Sequence, residues 1–168
     1  MSYTGIYSVL FNKKGEEGVE IKNWKGFVKF IKEEGFAIFD SYRKEYIVGD
    51  KLPHAEIKVD LRDLDEKPRV ILFGFRCFKC YDELFNIGRL AYYYDKEEFI
   101  EFWRELSRYT EPFWFLHSTD DGFVPTLFEA YLDEDYRCIV KVECDNGKIK
   151  ITEVNFKPNN KHIAVIEY

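Results

Sequence analysis

Four cysteines carry the most recognisable chemistry in this chain. Cys77-Phe78-Lys79-Cys80 is a C-x-x-C, a spacing that redox thiols and paired zinc ligands share, and Cys138 and Cys144 complete the set. Two pairs are what a structural zinc site wants. Cys138 and Cys144, however, fall on one predicted strand, where six residues of extended chain separate them by roughly 20 Å, too far for ligands to a single ion. Three readings of Cys77 and Cys80 stay open: a redox pair, a structural disulfide, or plain buried thiols. No metal site is favoured, and no cofactor is expected.

The C-x-x-C follows an apolar strand, and Tyr81-Asp82-Glu83-Leu84-Phe85 would open a helix whose N-terminus stabilises a thiolate. With Val124-Pro125-Thr126 added, these residues resemble thioredoxin-like proteins, where such a turn holds a cis-proline opposite the active site. The resemblance implies thiol–disulfide exchange at Cys77 and Cys80 and covers only 73–85 and 124–126. It departs from the family elsewhere, since 76 residues precede the motif and the sequence closes on strands where that fold has a helix.

A second constellation is Glu56-Ile57-Lys58. On a strand, Glu56 and Lys58 share a face, as a metal-binding carboxylate and a water-orienting lysine must. In element order, and in the stretch Ile31-Lys32-Glu33-Glu34-Gly35-Phe36-Ala37-Ile38, residues 24–118 resemble the PD-(D/E)xK nucleases, particularly archaeal Holliday-junction resolvases. The resemblance implies a metal-dependent nuclease using Glu45, Glu56 and Lys58, with Asp40 or Asp50 as other choices for the first acid. The Pro-Asp dipeptide of that family is absent. The bland reading is that Glu56, Lys58 and Asp60 form the solvent side of a strand whose Ile57, Val59 and Leu61 face the core.

Charge supplies the third lead. The net charge is −6, but residues 81–135 hold fourteen carboxylates against four basic side chains, a net of −10, while 1–80 and 136–168 each carry +2. Such a concentrated acidic face, with Asp120, Asp121, Glu129, Asp133, Glu134 and Asp135, suits a basic protein partner. It argues against nucleic acid, because phosphate binding needs a basic face and here lysines are only scattered. His54, His117 and His162 stand in no recognisable relation to Ser41 or Ser118. There is no Gly-rich phosphate loop, H-E-x-x-H or G-x-S-x-G. The expectation is a non-enzymatic binding module, with no catalytic residue favoured.

Short strands and two helices must position these groups. Asn23 stands where a helix N-cap belongs, Trp24, Phe27, Val28 and Ile31 follow at helical spacing, and Gly35 stops the run. Strands are expected at 36–41, 45–48, 55–61 and 69–75. Asp95 and Glu98 form a capping box for a second helix, and strands follow at 113–118, 127–132, 137–144, 148–156 and 162–168, with a hairpin at Asp145-Asn146-Gly147. At an offset of 72, Asn23, Phe27, Val28, Phe30 and Ile31 fall on Asp95, Phe99, Ile100, Phe102 and Trp103. Two further blocks coincide in order, pointing to tandem duplication of a β-α-β-meander unit. Any helix followed by strands aligns with any other if gaps are free, so the repeat rests on the shared order of the blocks. The expected fold is α+β, mainly antiparallel sheet with two principal helices, its repeats 1–80 and 81–168 packed as one compact domain along a seam of Trp24, Phe27, Phe99 and Trp103.

Composition excludes whole classes. With 46% apolar residues and 31 aromatics, the chain can bury a core, and disorder, collagen-like repeats and a disulfide scaffold are ruled out. No run approaches a membrane span, and Gly5–Phe11 is too short and lacks the basic flank of a secretion signal. The chain is read as soluble and cytoplasmic. The absence of Gln, the single Met and the wealth of Lys and Glu match the hyperthermophile pattern.

Overall fold

The fold is α+β, seen in a computed structural model that describes residues 4–49, 55–62, 68–77, 96–118, 139–157 and 160–168. In chain order it runs β1 (Thr4–Val9), β2 (Phe11–Asn12), β3 (Val19–Glu20), α1 (Trp24–Glu33), β4 (Ala37–Asp40), β5 (Glu45–Val48), β6 (Ala55–Asp60) and β7 (Arg69–Cys77). It continues with α2 (Lys96–Ser107), β8 (Phe113–Ser118), β9 (Ile139–Asp145), β10 (Lys148–Lys157) and β11 (Asn160–Glu167). The predicted strand at 127–132 and the cap residue Asp95 lie outside the described residues. No described helix is long and apolar enough to cross a membrane.

Local signals act as the sequence suggests. Asn23 Oδ1 accepts from the Gly26 N–H at 3.0 Å, satisfying a first-turn donor that has no partner inside the helix. Gly35 follows α1 at φ +77°, with its N–H bonded to the Lys32 carbonyl and the Phe36 N–H to the Ile31 carbonyl. That pair is a Schellman ending, which needs a left-handed residue after the helix. Asn146 and Gly147 both have positive φ, as a tight two-residue hairpin between β9 and β10 requires.

The apolar run Thr4–Phe11 is divided at Leu10. Before that residue β1 pairs with β7, and beyond it β2 pairs with β8, so one stretch of backbone serves both sheets. Leu10 itself is fully buried at the switch. The first sheet has the order β1–β7–β6–β4–β5 with β3 also on β7, and the second is β11–β10–β9–β8–β2, antiparallel throughout.

Strands β4 to β7 do not form a simple meander. β6 lies parallel to β4 on the side away from β5, with Ala37 level with Glu56 and Asp40 with Val59. Just past β5, Gly49 continues the β4–β5 pairing at φ +73° and lies so close to Ala37 that an added Cβ would be 2.9 Å from the alanine Cβ. In the second sheet β9 pairs directly with β8.

Helix α1 packs on β4, and α2 packs on β9 and β10. Rings crossing between the helices include Phe30 on Phe102 at 5.4 Å, Phe36 on Phe102 at 5.6 Å and Phe30 on Tyr109 at 5.8 Å. Trp24 stacks on Phe27 of its own helix, while Phe99 and Trp103 meet each other and Phe115 of β8. The seam is aromatic, but its crossing rings stand beside the stripe residues expected to form it. The stripe residues Phe27, Ile31, Phe99, Trp103 and Leu106 are buried in one core cluster drawn from both halves of the chain.

The exit of α2 is stitched to the start of α1. Lys22 and Asn23 donate to the Tyr109 carbonyl, Glu111 donates to the Glu20 carbonyl, and Ile21 bridges Thr110. The Tyr109 ring then lies across α1 at Gly26, where a Cβ would come within 2.6 Å of it. Gly26→Ala should gain about 1 kcal/mol of helix propensity and lose about 1–3 kcal/mol to overpacking, a net destabilisation. Chemical denaturation would measure it, and combining the substitution with Tyr109→Ala should turn the alanine at 26 from harmful to helpful.

Candidate binding cleft

On α2, residues 98, 101, 102 and 105 follow helical spacing and so share one side of the helix. The sequence puts Glu98, Glu101 and Glu105 around Phe102 there, while Phe99, Trp103 and Leu106 are buried on the other side. α1 presents Phe30 and, one turn on, Glu34. Where these sides meet is an open cleft of about 390 Å³, with Phe30 and Phe102 in its floor, carboxylates of Glu34, Glu98, Glu101 and Glu105 around it, and Arg104 and Arg108 beside them. Four carboxylates against two guanidinium groups leave it acidic.

Glu105 is held by two neighbours. One oxygen takes the Arg108 Nη1 at 2.6 Å, and the other accepts from the Tyr109 hydroxyl at 2.8 Å. Beneath it the buried Ser107 hydroxyl donates to the Arg104 carbonyl at 2.7 Å and accepts from the Gly147 N–H at 2.8 Å, locking the β9–β10 hairpin to the end of α2. Glu101 is exposed and Glu98 half-buried. A site of this kind can hold a cation or a basic side chain by charge, and its aromatic floor can cover an aliphatic stem. Among the described residues no three Asp, Glu, His or Cys side chains gather as metal ligands.

A larger hollow of about 650 Å³ lies on the second sheet, lined by Lys13, Trp114, Glu143, Lys148, Lys150 and Tyr168 among others. Trp114 there stacks on Phe11 at 4.6 Å, with the Lys141 ammonium 4.9 Å above its ring. Its charges largely answer one another: Glu143 pairs with Lys141 at 3.7 Å and Lys150 at 4.0 Å. The helix cleft keeps the greater excess of one sign.

Glu56 and Lys58 do share a face of β6, while Ile57 and Val59 on the other face are fully buried. Glu56 accepts from the Tyr46 hydroxyl at 2.7 Å, and Lys58 stands 6.0 Å over the Phe39 ring, so both have neighbours on that side of the sheet. Glu45 is not brought to them. It pairs with Asp40, whereas Phe39 pairs with Tyr46, so strand alternation sends Glu45 to the opposite face, where it is exposed. Asp40 is level with Val59 and buried, accepting from the Tyr42 N–H and Leu61 N–H and lying 3.8 Å from Arg43 Nε, which makes it an organiser of its turn. Asp50 lies outside the described residues.

Cys144 is a free thiol with 1% exposure, inside the core on β9, and burial pushes its pKa well above the ordinary thiol value. It is protonated and inert at neutral pH. Cys77 ends β7; Cys80 and Cys138 lie outside the described residues. So do Asp120, Asp121, Glu129, Asp133, Glu134 and Asp135 of the expected partner surface, along with His54 and the 124–126 turn. The carboxylates of α2 belong to the same acidic segment and were not singled out from the sequence. Their i, i+3, i+7 spacing around Phe102 was the signal that could have found them.

No family model, curated protein or solved structure matches this chain.

The Tyr109 phenol is held protonated: its pKa is raised above 10.0, chiefly by its hydrogen bond to Glu105, then by burial and the negative charge of Glu105. A folded value above the unfolded one gives a contribution that is whole below about pH 10 and lost as pH climbs through the raised value. The stability difference between wild type and Tyr109→Phe should therefore be constant at neutral pH and shrink in alkali. Urea midpoints of both proteins across that range would measure it.

Proposed function

We propose that this chain is a non-enzymatic binding module whose acidic face, within residues 81–135, takes a basic protein partner. The observation that carries the reading is the cleft between the helices, where Glu34, Glu98, Glu101 and Glu105 surround an aromatic floor of Phe30 and Phe102. A lysine or arginine of the partner would lay its methylenes on those rings and its charge among the carboxylates. Asp120, Asp121, Glu129, Asp133, Glu134 and Asp135 would extend the same field and steer the partner's approach. Composition further supports an origin in a hot environment, where Lys and Glu replace thermolabile side chains.

Titration calorimetry with a lysine-rich peptide tests the proposal. Binding is expected at low salt, weakening as salt is raised, and the double substitution Glu98→Lys with Glu101→Lys should reduce affinity about tenfold or more. If the reversed protein binds as well as wild type, the cleft is not the site.

The rival from another class is a metal-dependent nuclease built on Glu56 and Lys58. Incubation with Mg²⁺ or Mn²⁺ and branched or linear DNA should leave the DNA intact, since Glu45 lies across the sheet from the other two. Cleavage that disappears in Glu56→Ala would replace the binding reading with the nuclease one.

A further inference from the structure

The two sheets end very differently. β5, at one edge of the first sheet, has four residues and begins on the exposed Glu45. Short, charged edges resist pairing with other chains. β11, at the edge of the second sheet, has eight residues, and Ile163-Ala164-Val165-Ile166 within it carries no charge. Val165 is 54% exposed, among the most exposed large apolar residues described.

Backbone register fixes which groups of β11 are available. The Ile149 N–H donates to the Tyr168 carbonyl and the Tyr168 N–H to the Ile149 carbonyl, so 149 and 168 form a hydrogen-bonded pair. β10 and β11 then run in unbroken antiparallel register from Lys150 opposite Glu167 to Lys157 opposite Asn160. Alternation therefore turns the N–H and C=O of 160, 162, 164 and 166 towards β10, and those of 161, 163, 165 and 167 outward. Among the described residues no strand pairs with that outward row.

Such a row can take a partner strand, and a second copy of β11 has the register to fit it. Two copies running antiparallel about a twofold axis at Ala164 set residue 161 opposite 167 and 163 opposite 165, pairing outward groups with outward groups. Every position from 160 to 168 is then matched, giving about eight backbone hydrogen bonds. The same register puts Lys161 opposite Glu167 twice and Ile163 opposite Val165 twice. Moving the axis by one residue to 163 or 165 loses the reciprocal Lys–Glu match and shortens the overlap. We infer that this chain forms a homodimer through β11, joining the two second sheets into one continuous ten-stranded sheet.

The experiment is a charge swap read by sedimentation. Wild-type protein should sediment as a dimer in the micromolar range. Lys161→Glu alone and Glu167→Lys alone each place like charges opposite one another at two symmetric sites, and each should raise the dissociation constant about tenfold. The double variant carrying both changes restores opposite charges in the same register and should return the constant towards the wild-type value. Val165→Pro removes an outward donor while sparing the β10 ladder, and should give a folded monomer with unchanged circular dichroism. A monomeric wild type overturns the inference, as does a dimer indifferent to the single reversals or one that the double variant fails to rescue.

Discussion

Everything in this fold depends on one segment of backbone belonging to two sheets. Thr4–Val9 completes the first sheet and Phe11–Asn12 the second, with the fully buried Leu10 between them. Each sheet brings one helix among the described residues, α1 on β4 and α2 on β9 and β10. The shared strand sets the sheets side by side so that α1 and α2 meet, and the Glu20–Asn23 and Tyr109–Glu111 hydrogen bonds fasten them again at the helix ends. With two such fixings the core becomes continuous, from Ile38 and Ile57 under α1 to Phe115 beneath Trp103 of α2. The cleft follows, because it is the gap left where the two helices and their ends, held at fixed positions, meet through rings such as Phe30, Phe36, Phe102 and Tyr109.

How much of this could be read from the sequence divides by range. Asn23, Gly35 and Asn146-Gly147 act on neighbours within a few residues, so their roles were legible, as were the two helices, most strand positions and the α+β class. The break at Leu10 was not, since nothing in an apolar run from Thr4 to Phe11 marks where its partner changes from β7 to β8. The parallel placement of β6 beside β4 is a pairing between separate segments that no local pattern announces. Nothing local announces the role of Gly26. It is there because Tyr109, eighty-three residues on, lies across it.

The seam shows the same limit at finer grain. Helical periodicity correctly separates buried from exposed, but two buried positions one step apart can face different neighbours. Phe27 and Phe99 lie within the core, whereas Phe30 and Phe102 turn to each other across the helix boundary. The sequence offset of 72 pairs both couples, so the matched pattern held the right residues without saying which of them join the halves. For the site, the acidic bias of 81–135 was legible as a sum, and its convergence on the cleft needed the position of α1.

Placing Glu98, Glu101 and Glu105 on one side of α2 is a local disadvantage. Like charges three or four residues apart repel by a few tenths of a kcal/mol per pair in a helix. Part of this is offset: Glu97 and Glu98 sit in the first turn, where the helix dipole favours negative charge, and Glu105 is held by Arg108 and Tyr109. Glu101 has neither the first turn nor an ion pair with an arginine or lysine among those seen for α2, and it is exposed beside the apolar Phe102. α1 carries the opposite pattern on a matching scaffold, with Lys25, Lys29 and Lys32 lining its outer side around Trp24 and Val28. Two aromatic-anchored helices can carry opposed charge because surface charge contributes little to folding. Charge is thus free to follow use, and Glu101, exposed beside the cleft, can serve a ligand at little cost to the fold.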